Sequence, residues 1–346
     1  MRRFFWYMIC FLTLNLYAVN LYSIPKLEKS SVHDEIYDPV PNIMHHIADA
    51  HEWHLWGEGD ASFSIPLPVI LYTEGHFDIF MSNKFHHGHS NVVKGERIYS
   101  LDSHGHIYEE SGLAIIDISI TKNVASMLLS VFILLFVLIY VAKRYEKNQT
   151  APNGIQAFLE PLILFVKKDI IQDNIGVRYE KYTPFLLTVF FFILINNLLG
   201  LLPGAANVTG NIAVTFVLSV FTFIITTLSG NKNYWGHIFK PPGVPLALMP
   251  IMVPIEIIGI FTKPFALMIR LFANISAGHI IILSLISLIF IAQSSMGDIG
   301  AWSVAPVSVL FVLFIYCIEL LVAFLQAYIF TLLSAVFIGL AVAEDH

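Results

Sequence analysis

Two apolar segments near the C-terminus are far longer than a single membrane crossing requires. Residues 250–293 and 304–342 span 44 and 39 residues. As a helix, the first would be more than about 60 Å long, roughly twice the thickness of a bilayer's hydrocarbon core. It must therefore be bent or strongly tilted, and Pro254 and Pro264 permit bends. Because a short loop carrying Asp298 joins the two segments, we predict a long helical hairpin inclined in the membrane.

Three further apolar runs are each long enough for one crossing. Residues 124–142 carry no charge and would form a helix about 28 Å long. The basic cluster at residues 143–147 follows at once, and by the positive-inside rule this end is cytoplasmic. Residues 184–202 and 211–228 predict a helical hairpin with a short uncharged turn. Residues 154–172 mix apolar and charged side chains and predict an amphipathic helix on the cytoplasmic surface.

Composition excludes several classes of protein. Only 13% of the residues are charged, about half the share in soluble domains, and a net charge of −6 argues against a nucleic-acid binder. The two cysteines lie in apolar runs and provide neither a disulfide framework nor a cysteine metal site. The sequence has no P-loop motif and no soluble hydrolase motif, and no cofactor is predicted. If the chain takes part in energy conversion, a partner must supply the chemistry.

The N-terminus has the pattern of an export signal. Arg2 and Arg3 precede a 13-residue apolar run at residues 4–16, which is too short to span a bilayer. We predict a signal peptide within residues 1–22; a retained membrane anchor is the alternative. In both cases the following residues are expected outside the cytoplasm.

Residues 23–118 are polar and rich in histidine, whereas residues 119–346 are largely apolar. We therefore predict a small extracytoplasmic region that contains β-structure, followed by a membrane domain. The elements predicted in the first region are a short helix at 44–56, strands at 65–72 and 76–81, and a hairpin at 102–108.

Eleven of the fourteen histidines lie in residues 23–118. On the predicted helix, His51 and His54 are spaced i, i+3 and share a face. Imidazole is a common metal ligand, so His45, His46, His51 and His54 are candidate ligands for zinc or copper. The alternative is that these histidines lie on polar surfaces or at the membrane interface, because the tracts lack a specific ligand spacing.

Charged side chains inside the long segments point to function. Glu256, Lys263 and Arg270 are spaced seven apart, so an unbroken helix places them on one stripe, which Asn274 extends. An ionisable group at bilayer depth costs at least about 2.5–3.5 kcal/mol. Glu256 and Lys263 could instead lie at the membrane interface, whereas Arg270 has apolar neighbours on both sides.

Arg270 is a fixed positive charge, because a guanidinium group does not release its proton in proteins. His279 can titrate, as can Glu319, which lies seven residues before Gln326 on the last segment. Nine residues separate His279 from Arg270, which turns it about 180° away on a helix. Arg270 could thus face one partner while His279 faces the segment that bears Glu319. A positive barrier beside titratable groups suits a sealed ion path; a packing role for His279 is the alternative.

The sequence KPFALMIRLFANISAGH at residues 263–279 resembles subunit a of F-type ATP synthase. Its core, from Arg270 to Gly278, is highly specific to that family. The sequence NNLLGLLPG at residues 196–204 resembles the first-hairpin motif of the family, and QAYIF at residues 326–330 resembles its last-helix motif. The resemblance covers residues 119–346.

The resemblance implies an all-α polytopic stator subunit, not catalytic on its own, that holds two offset half-channels against a ring of c subunits. Protons would cross through the two half-channels and drive ring rotation and ATP synthesis. Arg270 would pair with each deprotonated ring carboxylate and block a direct leak, with Gln326 nearby. Glu319 and His279 would line the outer half-channel. Many bacterial members have the acid and the histidine of this pair exchanged, so the order of titration stays open.

Further implications concern wall residues and partners. Glu256, towards the cytoplasmic exit, and Asn274 would be polar wall groups. The c ring, b-type peripheral stalk subunits, the other ATP synthase subunits and the lipid bilayer would be the partners. The implied location is a bacterial inner membrane, with the N-terminal region extracytoplasmic and the C-terminus cytoplasmic.

Two other functions stay open. A secondary transporter or channel working alone would show an inverted repeat or broken helices around a central site, and the two long segments do not match as a repeat. In a metal sensor or chaperone, residues 23–118 would do the work and the membrane part would be an anchor.

Overall fold

The computed structural model describes residues 37–40, 43, 49–56, 63–88, 90–102, 105–147, 153–202, 204–240, 245 and 248–343. The predicted signal peptide lies outside these residues, as do His45 and His46. The chain divides into two units. The first comprises residues 1–128, 199–206 and 284–308, and the second comprises residues 129–198, 207–283 and 309–346.

Among the described residues of the first unit, eight short strands form three small antiparallel sheets, in the orders β1-β2, β4-β3-β8 and β5-β6-β7. The strands are β1 (Glu52–Trp56), β2 (Phe63–Pro66), β3 (Pro68–Thr73), β4 (His76–Met81), β5 (Val92–Lys94), β6 (Arg97–Leu101), β7 (Ile107–Glu109) and β8 (Ile115–Asp117). A 3-10 helix, Ser82–Gly88, follows β4. The β-containing N-terminal region and its hairpin between β6 and β7 are therefore confirmed.

Two of the expected elements differ from the structure. The helix predicted at 44–56 is wrong in its last part, because residues 52–56 are strand β1, paired with β2. In a strand, alternate side chains point to opposite faces, so the argument that His51 and His54 share a helix face is also wrong. The strand predicted at 65–72 is two strands that meet at Leu67. The flanking Pro66 and Pro68 cannot donate ladder hydrogen bonds, and Leu67 instead pairs its backbone with Ser82.

The core of this β-region lies between the two three-stranded sheets. Val69, Leu71 and Phe80 from one sheet pack with Tyr99 from the other and with Phe85. The rings of Phe80 and Phe85 meet edge to face, with centroids 5.5 Å apart. Alternation along β3 thus points one set of apolar side chains inwards.

Within the described part of the chain, six helices of eight or more residues follow the strands: α1 (Lys122–Lys147), α2 (Ile155–Phe165), α3 (Tyr179–Gly200), α4 (Ile212–Ser229), α5 (Lys232–Phe239) and α6 (Met249–Val342). The four runs predicted to be helical at 124–142, 154–172, 184–202 and 211–228 are helical over most of their length. Helix α2 continues as a π-helix, Val166–Gln172. The side chain of Asn211 caps α4 by accepting a hydrogen bond from Ala213 N, which satisfies one of the free donors at the helix start.

Helix α6 accounts for both overlong segments. Its regular geometry is interrupted at Gly297, which has φ 70° and ψ −161°. This left-handed conformation is open to glycine because it has no Cβ. The break needs one residue, next to Asp298, instead of the predicted loop. We refer to residues 249–296 as the N-terminal arm and to residues 298–342 as the C-terminal arm. The hydroxyl of Ser308 donates to the carbonyl of Leu285 across the break.

The core of the second unit is built by helices α1 to α4 and α6. Fully buried side chains include Val166, Leu186, Phe190 and Ile338. Buried residues of the N-terminal arm, such as Leu267, belong to the same cluster. This packing leaves one face of the N-terminal arm outside the core.

Candidate functional site

The N-terminal arm has a buried face and an exposed face, and Arg270 lies on the exposed one. Leu267 and Leu271 are each 1% exposed, whereas Arg270 and Asn274 are exposed. The exposed residues beside Arg270 on this face are small: Ala266, Ala273 and Ala277. A single fixed charge thus projects, with the uncharged amide of Asn274, from a helix face whose small residues let another backbone approach closely.

A second candidate, Glu319 on the C-terminal arm, lies against the N-terminal arm two turns after Arg270. Glu319 is 7% exposed. Its carboxylate occupies the space that a Cβ at Gly278 would fill. Gly278 directly precedes His279, which is half-buried. The two titratable candidates of the sequence analysis therefore lie on neighbouring stretches of the two arms.

Buried hydrogen bonds link this region to α3 and to the loop after it. The amide of Asn197 donates to the carbonyl of Ala323 at 3.1 Å, and its oxygen accepts from the Thr209 hydroxyl at 2.6 Å. Ser276 on the N-terminal arm donates to the carbonyl of Gly210 at 3.4 Å. Together these bonds connect α3, the α3–α4 loop and both arms of α6.

Two buried polar atoms beside these bonds have no partner among the described residues. They are Asn196 Oδ1 and Asn207 Nδ2. Burying an amide without a hydrogen bond is costly, and ordered water commonly supplies the missing partner. Three residues of this hydrogen-bonded region, Asn207, Thr209 and Ser276, were not predicted from the sequence as site residues. The polar run at residues 207–211, between two apolar helices, is the sequence feature that indicates Asn207 and Thr209.

A separate polar region lies seven residues before Arg270 on the N-terminal arm. Lys263 is half-buried, and its ammonium group lies 5.5 Å from the ring centroid of Phe337. Lys263 and Leu267 line a small cavity together with Thr222 and Thr226 of α4. The hydroxyl of Thr226 is buried and has no partner among the described residues. Glu256, one heptad earlier, is half-buried.

Gln326 lies inside the second unit. It is 2% exposed and stands two turns after Glu319 on the C-terminal arm. Its neighbour Ala327 is fully buried. The seven-residue spacing thus turns both Glu319 and Gln326 away from the outer surface.

One of the four histidines predicted as metal ligands, His51, contacts an acidic side chain. His51 Nε2 lies 2.7 Å from Asp117 Oδ2. Burial by itself would raise the pKa of Asp117, but hydrogen bonds from His51 and Ser119 outweigh it and lower this pKa to about 2. Within the described residues, no group of three or more His, Cys, Asp or Glu side chains could hold a metal ion. His45 and His46 lie outside those residues.

The helices define the class of protein. Among the described residues, four helical stretches are long and apolar enough to cross a membrane: Lys122–Tyr145, Ile155–Gly200, Ile212–Ser229 and Met249–Val342. Charged and polar side chains lie within the last of them. The chain is a multi-pass helical membrane protein with a polar site inside its apolar segments.

Comparison with known proteins identifies the family. The profile of the ATP synthase A chain family matches residues 124–339, and a domain of unknown function, DUF8433, matches residues 42–124. The chain is 50% identical to ATP synthase subunit a of Chloroherpeton thalassium over 66% of this chain and 69% of that protein. It is 46% identical to ATP synthase subunit a 2 of Chlorobium luteolum over 75% of this chain and 79% of that protein.

A third relative matches over most of the chain. ATP synthase subunit a of Anaeromyxobacter sp. is 40% identical over 90% of this chain and 72% of that protein. The chain therefore belongs to the ATP synthase A chain family. It is a component of the membrane sector of an ATP synthase and takes part in proton transport and ATP synthesis.

Proposed function

We propose that this chain is the stator subunit that conducts protons against the c ring, through two offset half-channels separated by Arg270. The observation that carries the proposal is the position of Arg270 between two polar regions of one helix. Lys263 lies seven residues before it, and Ser276 and His279 lie six and nine residues after it. At 1.5 Å per residue, the two regions are offset by about 20 Å along the arm.

The outer half-channel would use the polar region beyond Arg270. Glu319 and His279 would pass the proton, and Asn274 would be a wall group. The unpartnered amide atoms of Asn196 and Asn207 support this assignment, because each offers a position for ordered water. A chain of water molecules and titratable side chains is a suitable proton path into a membrane.

The inner half-channel would use the polar region before Arg270. Lys263 and the buried hydroxyl of Thr226 line the small cavity there, and Glu256 would lie towards the cytoplasmic exit. The two regions thus need no direct connection inside this chain. A proton that leaves the first must travel on another molecule to reach the second.

Arg270 would act as the seal between the half-channels. An unpaired charge exposed at membrane depth costs at least about 2.5–3.5 kcal/mol, so its position calls for an anionic partner. A deprotonated carboxylate on each passing c subunit would supply that partner, with Gln326 nearby on the C-terminal arm. Because the guanidinium keeps its proton, its positive charge repels a proton that would otherwise cross directly from one half-channel to the other.

The offset of the two half-channels on either side of Arg270 would set the order in which a ring carboxylate gains and loses its proton, and with it the direction of rotation. A proton from outside neutralises a ring carboxylate, which releases it from Arg270 and lets it turn into the lipid. After the ring has turned, the carboxylate reaches the inner half-channel and loses the proton. The membrane potential contributes about 2.3 kcal/mol per charge for each 100 mV.

The proposal also covers partners and orientation. The b-type peripheral stalk would hold the chain against rotation, and the catalytic subunits of the complex would carry out the ATP chemistry. The basic cluster at residues 143–147 supports a cytoplasmic end for α1 in a bacterial inner membrane. The region before α1 would then be extracytoplasmic, and the C-terminus cytoplasmic.

Substitution of Arg270 tests the proposal directly. Arg270→Ala should abolish ATP-driven proton pumping in inverted vesicles while the complex still assembles, as judged by co-purification of the chain. Arg270→Lys should also fail, because lysine lacks the planar fork of donors. Arg144→Ala is the matched control, since Arg144 is a half-buried arginine near the end of α1 that contacts Tyr140. Near-normal pumping by Arg270→Ala would overturn the proposal.

A further inference from the structure

The sheet β4-β3-β8 carries exposed apolar side chains on the face that points away from the core of the β-region. On one face, Phe80 is 5% exposed and Val69 is fully buried in the core of the β-region. On the other face, Phe77 and Ile79 are 64% and 61% exposed. An antiparallel sheet with one face in water normally alternates apolar and polar residues. In β3, apolar residues continue on both faces. In β4, the apolar Phe77 and Ile79 point to the second face, while His76 and Asp78 share the inner face with Phe80. This placement indicates that the second face is also covered.

The exposed apolar side chains form one continuous surface across the three strands. Strand pairing sets Ile79 opposite Ile70 and places both Phe77 and Ile116 opposite Tyr72. The rings of Tyr72 and Phe77 lie 4.8 Å apart. We call this surface the outer sheet face; its residues are Ile70, Tyr72, Phe77, Ile79, Ile116 and Ile118. None of the six is charged, and contiguous exposed apolar patches mark interaction sites.

The outer sheet face is joined to a membrane-crossing helix without a free linker. After β8, Ile118 N donates to the Ile70 carbonyl at 2.9 Å and Ile120 N donates to the Pro68 carbonyl at 3.1 Å. Helix α1 begins two residues later. Its first amide, Lys122 N, donates to the Ala50 carbonyl at 2.8 Å. The sheet is therefore held directly at one end of α1.

The polar side chains of this connection fix which way the sheet faces. Asp117 bonds to His51, and the Ser119 hydroxyl accepts from Ile70 N at 3.0 Å. The Thr121 hydroxyl donates to Asp49 at 2.9 Å. Because these alternate residues are engaged within the β-region, the intervening Ile116 and Ile118 must project from the outer sheet face. Both are more than half exposed.

We propose that the outer sheet face rests on the lipid bilayer, in the interfacial layer around the N-terminal end of α1. Ile118 lies four residues before Lys122, so it is at most about 14 Å from the start of the helix along an extended chain. The headgroup layer on each side is half the difference between a ~30 Å core and a ~40–45 Å bilayer, about 5–8 Å. Ile118 therefore lies within about two to three layer thicknesses of the start of the helix, measured along the chain. Tyr72 has an apolar ring and a polar hydroxyl, a combination that suits this layer.

The proposal rests on α1 crossing the membrane and does not depend on the proton path. Lipid is the occupant that the observations favour, because the sheet is held at the first turn of a helix that is long and apolar enough to cross a membrane. The sheet would then brace the start of α1 against tilting.

Contact quenching of a fluorophore tests this proposal in the assembled ATP synthase. The background variant replaces Cys10 and Cys317 with serine, and Ile79→Cys then receives a bimane label. The labelled complex is placed in phosphatidylcholine vesicles with brominated acyl chains, and separately exposed to aqueous iodide. Val93→Cys is the matched control, since Val93 is 64% exposed on a strand of the other three-stranded sheet. Phe132→Cys, on an exposed position within α1, reports full lipid contact.

Three results are possible. The proposal predicts that brominated lipid quenches the label at Ile79 several-fold more strongly than at Val93, and that iodide quenches it less. Strong iodide quenching at Ile79, as at Val93, would mean that the face meets water and would overturn the proposal. Protection from both quenchers would mean that a protein surface covers the face, which would also overturn it. Phe77→Cys repeats the measurement on a second residue, and proton pumping in the same vesicles shows that each labelled complex is intact.

Discussion

The carboxylate of Glu319 lies against the backbone of Gly278, in the space that any side chain at position 278 would occupy. Both residues are buried, and each belongs to a different arm of α6. Gly278 is helical, so glycine is needed here for its size and not for an unusual backbone conformation. The contact positions an acidic group beside His279. The proposed proton path therefore requires that residue 278 have no side chain.

Gly278→Ala should therefore impair proton transport. The added methyl group must displace the Glu319 carboxylate or push the two arms apart, and overpacking of this kind costs about 1–3 kcal/mol. A barrier raised by that amount slows a rate about fivefold or more. ATP-driven acidification of inverted membrane vesicles, followed with a pH-sensitive dye, measures the effect.

Gly259→Ala is the matched control for that measurement. Gly259 lies on the same arm, and a Cβ there would meet no atom within 4 Å. Pumping by Gly259→Ala should equal that of the wild type, and both variants should assemble. Equal pumping by Gly278→Ala and Gly259→Ala would show that the position of the Glu319 carboxylate does not limit the rate.

Glu319→Gln and Gln326→Glu, two substitutions on the C-terminal arm, should slow proton transport to different extents. Glu319→Gln removes a group that can carry a proton, and general acid–base groups contribute about 100-fold or more to a rate. Gln326→Glu keeps a hydrogen-bonding side chain of the same length, so its loss should be smaller. Passive proton uptake and ATP-driven pumping would be compared in the same vesicles. Proton uptake and pumping at wild-type rates in Glu319→Gln would show that the Glu319 carboxyl serves only in packing.

The bond from Thr209 to Asn197 should stabilise the link between α3 and the loop that follows it. Thr209→Val removes the donor and leaves the buried Asn197 oxygen without it, which costs about 1–3 kcal/mol. The variant complex should lose this subunit at a lower temperature in detergent. Thr188→Val is the control, because Thr188 is exposed and bonds within its own helix. Identical melting of the two variants would contradict this role.

The sequence predicted the helices well because membrane crossing imposes a length and an uncharged composition. Residues 124–142 and 211–228 could be delimited from these properties alone. Arg270 was also within reach, since a charge among apolar neighbours is conspicuous without any structure. These features are local, and they depend on neighbours in the chain.

Features that depend on distant neighbours were harder to predict. Residues 52–56 form a strand because they pair with β2, and the local sequence from which a helix was predicted at 44–56 gives no information about that pairing. The close fit between Gly278 and Glu319 joins residues 41 positions apart, and no pattern in either arm indicates it. Gly297 was overlooked because a single glycine can replace the whole loop that the apolar pattern predicted.

The ion pair between His51 and Asp117 gives the β-region a defined response to acid. Because the pKa of Asp117 is lowered from 3.8 to about 2, the folded region binds this proton less readily than an unfolded chain. The stabilisation is therefore complete above about pH 4 and is lost as the pH falls through 2. Since the Asp117 side chain is 35% exposed, solvent screening reduces the contribution to about 1–2 kcal/mol.

Asp117→Asn should remove this contribution. At pH 6 the variant should exchange its backbone amides in β3 and β8 faster than the wild type, by about 5–30-fold. Near pH 2 the two proteins should exchange at similar rates after correction for the intrinsic pH dependence, because the wild-type carboxyl is then about half protonated and most of the stabilisation has been lost. Hydrogen exchange with mass spectrometry on the solubilised complex measures both. Glu96→Gln, in the exposed turn between β5 and β6, should match the wild type at each pH. A difference between Asp117→Asn and wild type that is the same at pH 6 and pH 2 would show that charge on Asp117 does not stabilise the region.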